Sequence, residues 1–167
     1  MLTRAEFLRL TGAAATAVAV APAANAKTSA KTVAKPMRDD GIVRVKSAYG
    51  FSETIERLKK DIAAKGIMFF SEIDQQKLAA GAGIALHPST LLVFGNPPLG
   101  TQCITANANA GLDWPVRLLV IQDQAGAVWT VYTDFAWIAA RHGIANRADQ
   151  FKMASMVIAS ITSSVKA

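Results

Sequence analysis

The sequence predicts an α+β fold: a mostly antiparallel sheet of about five strands, packed on one face by two main helices, with short extra helices. Three observations carry this. Five short runs rich in β-branched and large apolar residues are separated by turn residues. Two longer stretches, one after Ser52 and one after Asn146, repeat apolar residues at helical spacing. The turn Asp123-Gln124-Ala125-Gly126 joins the last two runs and is too short for the crossover that parallel strands require.

The elements follow in order. Residues 42–47 (Ile-Val-Arg-Val-Lys-Ser) read as a first strand, turned by Tyr49-Gly50. Ser52 is the expected N-cap of an amphipathic helix, with Ile55, Leu58 and Ile62 on one face and Gly66 as its left-handed stop. Residues 67–73 form a second strand, and Asp74 caps a short helix that passes Leu78 and ends near Gly83. A third strand covers 90–94 and is stopped by Gly95-Asn96-Pro97-Pro98; the polar stretch 101–109 holds one short helix. Residues 115–121 and 128–132 are the fourth and fifth strands, around the Asp123 to Gly126 hairpin turn. A short helix over 135–142 stops at Gly143. Asn146, with Asp149 three residues on, opens a last helix whose stripe of Phe151, Ala154, Ile158, Ile161 and Val165 faces the core.

Composition bounds what such a domain can do. The 167 residues are 51% hydrophobic and 18% charged, enough for a core and unlike a disordered chain. One cysteine excludes an internal disulfide, a four-cysteine zinc site and a Cys-x-x-Cys pair. Residues 1–26 have a separate build: Arg4 and Arg9, an Ala/Val-rich run from Ala13 to Ala21, Pro22, then Ala24-Asn25-Ala26. This is the pattern of a secretory signal cleaved after Ala26, and its apolar run is shorter than the roughly 20 residues that span a bilayer. The arginine region lacks the second arginine of a twin-arginine signal, because Ala5 stands there. A secreted or periplasmic bacterial protein, with no stable membrane span after cleavage, is the expectation.

Residues 27–40 read as a basic, flexible linker and 41–167 as one domain. The whole chain carries +6, yet residues 47–167 hold 10 basic against 9 acidic side chains. A folded part so nearly neutral is not built to neutralise phosphates, so nucleic acid is not an expected partner.

Several segments together resemble the domain of unknown function 302 family. They are Phe51-x-x-Thr54-Ile55-x-x-Leu58 with Ile73-Asp74, the run Leu91-Leu92-Val93-Phe94-Gly95-Asn96-Pro97, Gly111-Leu112-Asp113-Trp114-Pro115-x-Arg117, and Tyr132-Thr133-Asp134 with Arg141-His142-Gly143. The resemblance implies a small α+β domain, often secreted in bacteria, with no established activity. Gln75 stands where members commonly carry a histidine, so an acid–base or metal role does not carry over to that position.

Candidate chemistry is sparse. His87 and His142 share no metal-ligand spacing, and neither a Gly-x-Ser-x-Gly nor a Gly-x-Gly-x-x-Gly motif occurs, so no metal or cofactor is expected. His142 suits a helix C-terminus through the macrodipole. Cys103 has no basic neighbour to activate it and reads as a small buried hydrophobe. The polar residues left at strand ends are Asp74, Asn96 and Asp113. Each has a structural reading: Asp74 as a helix cap, Asn96 as a turn residue before Pro97, and Asp113 as an acceptor for the backbone around Trp114-Pro115. The functional reading is that they converge with Trp114 and Tyr132 on an apolar small-ligand pocket. The expected function is thus an exported, non-catalytic binding or interaction module, with a small-molecule ligand and a homodimeric state suggested by Trp129, Trp137 and a sheet edge. The rivals are an enzyme using Asp74 or Asp113 as general base and a purely structural dimer.

The signal reading is checked by N-terminal sequencing of exported protein: the mature chain starts at Lys27. A chain that still starts at Met1 in the membrane fraction refutes it.

Overall fold

A computed structural model of the chain describes residues 40–167. The expected signal over 1–26 and all but the last residue of the expected linker lie outside the described residues. The domain contains β1 (Ile42–Lys46), α1 (Phe51–Ala64), β2 (Met68–Asp74), α2 (Gln75–Gly81), β3 (Ser89–Gly95), α3 (Pro97–Ala106), a 3-10 turn (Ala108–Leu112), β4 (Val116–Gln122), β5 (Val128–Thr133), α4 (Phe135–Arg141) and α5 (Ala148–Ser163). The strands form one sheet in the order β1-β5-β4-β3-β2, with every neighbouring pair antiparallel. The fold is the α+β arrangement expected from the sequence.

Strand alternation builds the core. Leu92 and Phe94 of β3 pair with Leu118 and Val116 of β4, and Val120 pairs with Thr130 of β5. Leu92, Leu118, Val120 and Thr130 are wholly buried. Against them lie Leu58 and Ile62 of α1, and Ile158 and Ile161 of α5, the expected stripes. Each such side chain contributes roughly 1.5–3 kcal/mol by leaving water. The alternate residues Leu91, Leu119 and Val131 form a cross-strand row on the opposite face and stay half-buried.

Three element boundaries differ from the sequence reading. α1 begins one residue before Ser52, with Gly50 in the N-cap position and no side-chain cap. Buried Thr54 ties this start to the end of β1: its hydroxyl donates to the Gly50 carbonyl at 2.8 Å and lies 2.7 Å from Ser47 Oγ. The stretch after β3 is mostly helix, because Pro97 and Pro98 occupy the first positions of α3, where a missing N–H costs nothing. α5 has Arg147, not Asn146, as its N-cap residue, and no side chain caps it. The Arg147 guanidinium instead reaches the Gln102 and Asn146 carbonyls, at 3.3 and 2.9 Å.

Asp74 does cap α2, accepting the Lys77 N–H at 2.8 Å, and Gly66 and Gly143 take the left-handed conformation that ends α1 and α4. The aromatics expected to seek a partner are committed inside the domain. Trp129 is half-buried, donates from Nε1 to Asp123 at 2.8 Å and lies under Arg44. Trp137 is half-buried against the core and fills the space beside Gly41.

Two helical glycines give a paired test. A methyl group on Gly100 would overlap the Trp114 indole, whereas one on Gly81 would meet nothing. Gly100→Ala is expected to destabilise by about 1–3 kcal/mol. Gly81→Ala is expected to stabilise by up to ~1 kcal/mol through helix propensity. Urea unfolding measures both; equal effects would show that the indole does not hold Gly100 closely.

Candidate functional site

The polar centre of the domain is Asp113, which follows the 3-10 turn and precedes β4. Its side chain is only 3% exposed, so its charge needs partners. Arg117 Nη2 donates to Oδ1 at 2.9 Å and to the Leu112 carbonyl at 2.8 Å. Arg141 Nη1 donates to Oδ2 at 3.0 Å and to Oδ1 at 3.3 Å. His142, itself 6% exposed, places Nε2 2.7 Å from Oδ2. The carboxylate therefore serves side chains from β4 and from the end of α4, not the backbone around Trp114-Pro115. Asn107, which caps the 3-10 turn, donates from Nδ2 to the His142 carbonyl at 2.8 Å and closes the same corner.

Trp114, joined to Pro115 by a cis peptide bond, turns the other way. Its indole lies against Gly95 at the end of β3 and Gly100 in α3, so closely that neither glycine has room for a side chain. Beside it opens a groove of about 410 Å³, within the range of small-ligand sites. Its walls are almost wholly apolar: Phe94 comes from β3, Ile67 from just before β2, Leu99 from α3, Phe135 from the start of α4, and Met153 and Val157 from α5. Polar groups stand only at Asn96, Lys65 and Ser160. Asn96 is exposed and makes no side-chain capping bond to α3, so its carboxamide is not spent on the turn. Lys65 is paired with Asp61 at 2.5 Å.

The five expected site residues thus divide into three places. Asn96 and Trp114 share the groove. Asp113 and Tyr132 line a separate recess of about 20 Å³, room for about one water, which touches the groove's wall through Val116 and Phe135. Asp74 joins neither. It faces Thr90 at the far end of β3 from Asn96, six residues away and so about 20 Å along the strand. The expected convergence of all five does not occur, because an antiparallel strand carries its two ends to opposite sides of the domain.

Sequence reasoning missed Arg117, Arg141 and His142 as the partners of one carboxylate. Asp113 and Arg117 are four apart, but in no helix, and Arg141 and His142 come from a distant segment. Burial, and then the Asp134 carboxylate, push the Tyr132 phenol above its ordinary range, against a hydrogen bond from Thr162. Burial likewise raises the half-buried Cys103 thiol, against the nearby Arg147 charge, which suits a packing role. Gln75 accepts from Ser89 Oγ at 2.6 Å, a structural bond at the head of α2. Among the described residues no group of three His, Cys, Asp or Glu side chains is placed to hold a metal ion. No helix among them is long and apolar enough to cross a membrane.

A family model described as "Domain of unknown function DUF302" matches residues 43–161, the span over which the sequence motifs resemble that family. The "Fluoride-specific ion channel FluC 1" of Brucella suis biovar 1 (strain 1330) is 38% identical over 111 residues, covering 66% of this chain and 44% of that protein. "Fluoride-specific ion channel FluC 1" of Brucella abortus biovar 1 (strain 9-941) matches at the same identity, over 41% of its length. The chain therefore spans less than half the length of the curated relatives it matches. The crystal structure of an uncharacterized conserved protein DUF302 from Bacillus stearothermophilus is similar with a TM-score of 0.69 and 17% identity. That likeness covers 75% of this chain and 98% of the other, and it is one of fold.

Two substitutions separate structure from site. Asp113→Ala strands two arginines and a nearly buried histidine and is expected to destabilise by about 2–3 kcal/mol, discounted because both arginines are half-exposed. Asn96→Ala is expected to change stability by less than about 0.5 kcal/mol. Urea unfolding of both beside wild type decides; a large loss for Asn96→Ala would show that its side chain is structural.

Proposed function

The chain belongs to the DUF302 family, and we propose that it is an exported, non-catalytic module that binds a small, largely apolar molecule in the groove between β3, α3 and α5. The observation that carries this reading is the groove itself: an apolar trough floored by Trp114, with the uncommitted Asn96 carboxamide at its rim. A site of this make has the usual design of a small-ligand pocket, in which apolar walls supply affinity and a few polar groups orient the ligand. The Trp114 indole borders the groove while lying close against Gly95 and Gly100.

The rival enzyme reading has less support. A general base needs a lone pair presented to a substrate. Asp113 has its oxygens filled by Arg117, Arg141 and His142, and Asp74 is engaged with Lys77 at an exposed helix start away from either cavity.

A second reading is favoured by the Brucella relatives, in which a stretch like this one forms part of proteins named as ion channels. On that reading the module works beside a membrane channel. Cross-linking in intact cells, followed by mass spectrometry, recovers a channel protein in that case and only other partners if the reading is wrong.

The groove is tested with anilinonaphthalene sulfonate as an apolar probe. Half-buried Ala154 lines the groove and packs against the core, so Ala154→Phe places a ring in the groove, and circular dichroism checks that the variant keeps the fold. The expected outcome is saturable probe binding by wild type, weakened about tenfold or more in the variant, a change of ~1.4 kcal/mol. Equal probe binding by both, with no molecule retained in native mass spectrometry of periplasmic protein, overturns the reading.

A further inference from the structure

The two edges of the sheet are finished differently. At one edge, β1 carries Arg44 and Lys46, exposed charges of the kind that keep an edge strand from pairing with another chain. At the other, all of β2 except Ser71 is exposed, and the strand, irregular between Phe69 and Ser71, presents Met68, Phe70 and Ile73 beside Glu72 and Asp74. α2 continues from it without one buried residue, and Leu78, Ile84 and Leu86 stand in water along α2 and the loop to β3. A regular helix with nothing buried has little tertiary packing to hold it, since short helices owe their stability to a buried face.

We propose that β2, α2 and the following loop form an arm that pairs with the same arm of a second copy of this chain. The area fits that occupant. The six side chains named are 36–65% exposed, which at roughly 200 Å² each leaves on the order of 600 Å² of apolar surface on one protomer. A standard interface takes about 800 Å² from each partner, somewhat over half of it apolar. The charge fits as well. The arm carries Glu72 and Asp74 against Lys77, so two copies meet with little repulsion, whereas two β1 edges would set Arg44 and Lys46 against their own kind. An antiparallel β2–β2 pairing about a two-fold axis would use the free strand edge in both copies and continue the sheet across the dimer. Because the arm takes no part in the groove, this inference stands apart from the ligand reading.

Sedimentation equilibrium of the full chain, from low micromolar to about 100 μM, tests it. Wild type is expected to be dimeric at the upper end. Leu78→Asp combined with Ile84→Asp is expected to weaken the dimer by about 100-fold or more. Both positions are exposed in the protomer, so circular dichroism of the double variant should match wild type, and Arg44→Ala on the opposite edge should leave the dimer unchanged. Hydrogen exchange gives an independent readout, since protection of residues 68–74 should rise with protein concentration. A wild-type monomer throughout the range overturns the proposal, as does a double variant that dimerises like wild type. Protection of β2 that appears only when membranes are added would assign the arm to another protein, and equally overturns it.

Discussion

A carboxylate that is almost wholly withdrawn from water governs the arrangement of this domain. Asp113 would be costly to bury alone, and its two oxygens draw Arg117, Arg141 and His142 to one point. Those residues lie on β4 and at the end of α4, so the interaction fixes where the sheet meets the last third of the chain. Asn107 extends the same corner to the end of α3 through the His142 carbonyl. The guanidinium groups remain half in solvent, which lowers their desolvation cost while the carboxylate stays satisfied.

The groove is a consequence of that corner. Once Asp113 is held inward, the next residue, Trp114, is laid over Gly95 and Gly100, and β3 and α3 can approach only because both positions lack a side chain. The indole then floors a trough bordered on the α5 side by Met153, Ala154, Met156 and Val157. Apolar surface is thus left facing a cavity at one place and facing solvent at another, along β2 and α2. The two differ in kind. The first is concave and lies beside the core, whereas the second is a projecting strand edge and helix, which suits a molecular surface better than a small ligand.

Much of the architecture was legible in the residues. Ile55, Leu58 and Ile62 announce α1, the Asp123 to Gly126 turn announces an antiparallel pair, and Gly66 and Gly143 announce two helix ends, because each is a local matter of periodicity or φ. Helix starts were read less well. Ser52 and Asn146 have the right chemistry for caps, but α1 and α5 start without a side-chain cap, and Thr54 with Ser47, and Arg147 with Gln102, tie those starts to other segments. Of the five candidate residues, Asn96 and Trp114 border one groove although they come from two separate motifs. Asp74, Asn96 and Asp113 all stand at strand ends, but a strand has two, and Asp74 lies at the far end of β3 from Asn96.

By itself, the sequence determined the fold class, the order of the elements, their core-facing stripes and the family, because these depend on local patterns and on motifs contiguous along the chain. Only the tertiary structure decided that Asp113 answers to Arg117, Arg141 and His142, that Trp114 lies on two glycines, and that one sheet edge is left bare. Those outcomes depend on contacts between segments far apart in the chain, such as Asp113 with His142 and Ile42 with Thr133. Such contacts are set jointly by the packing of every element between them, and no window of residues contains that information.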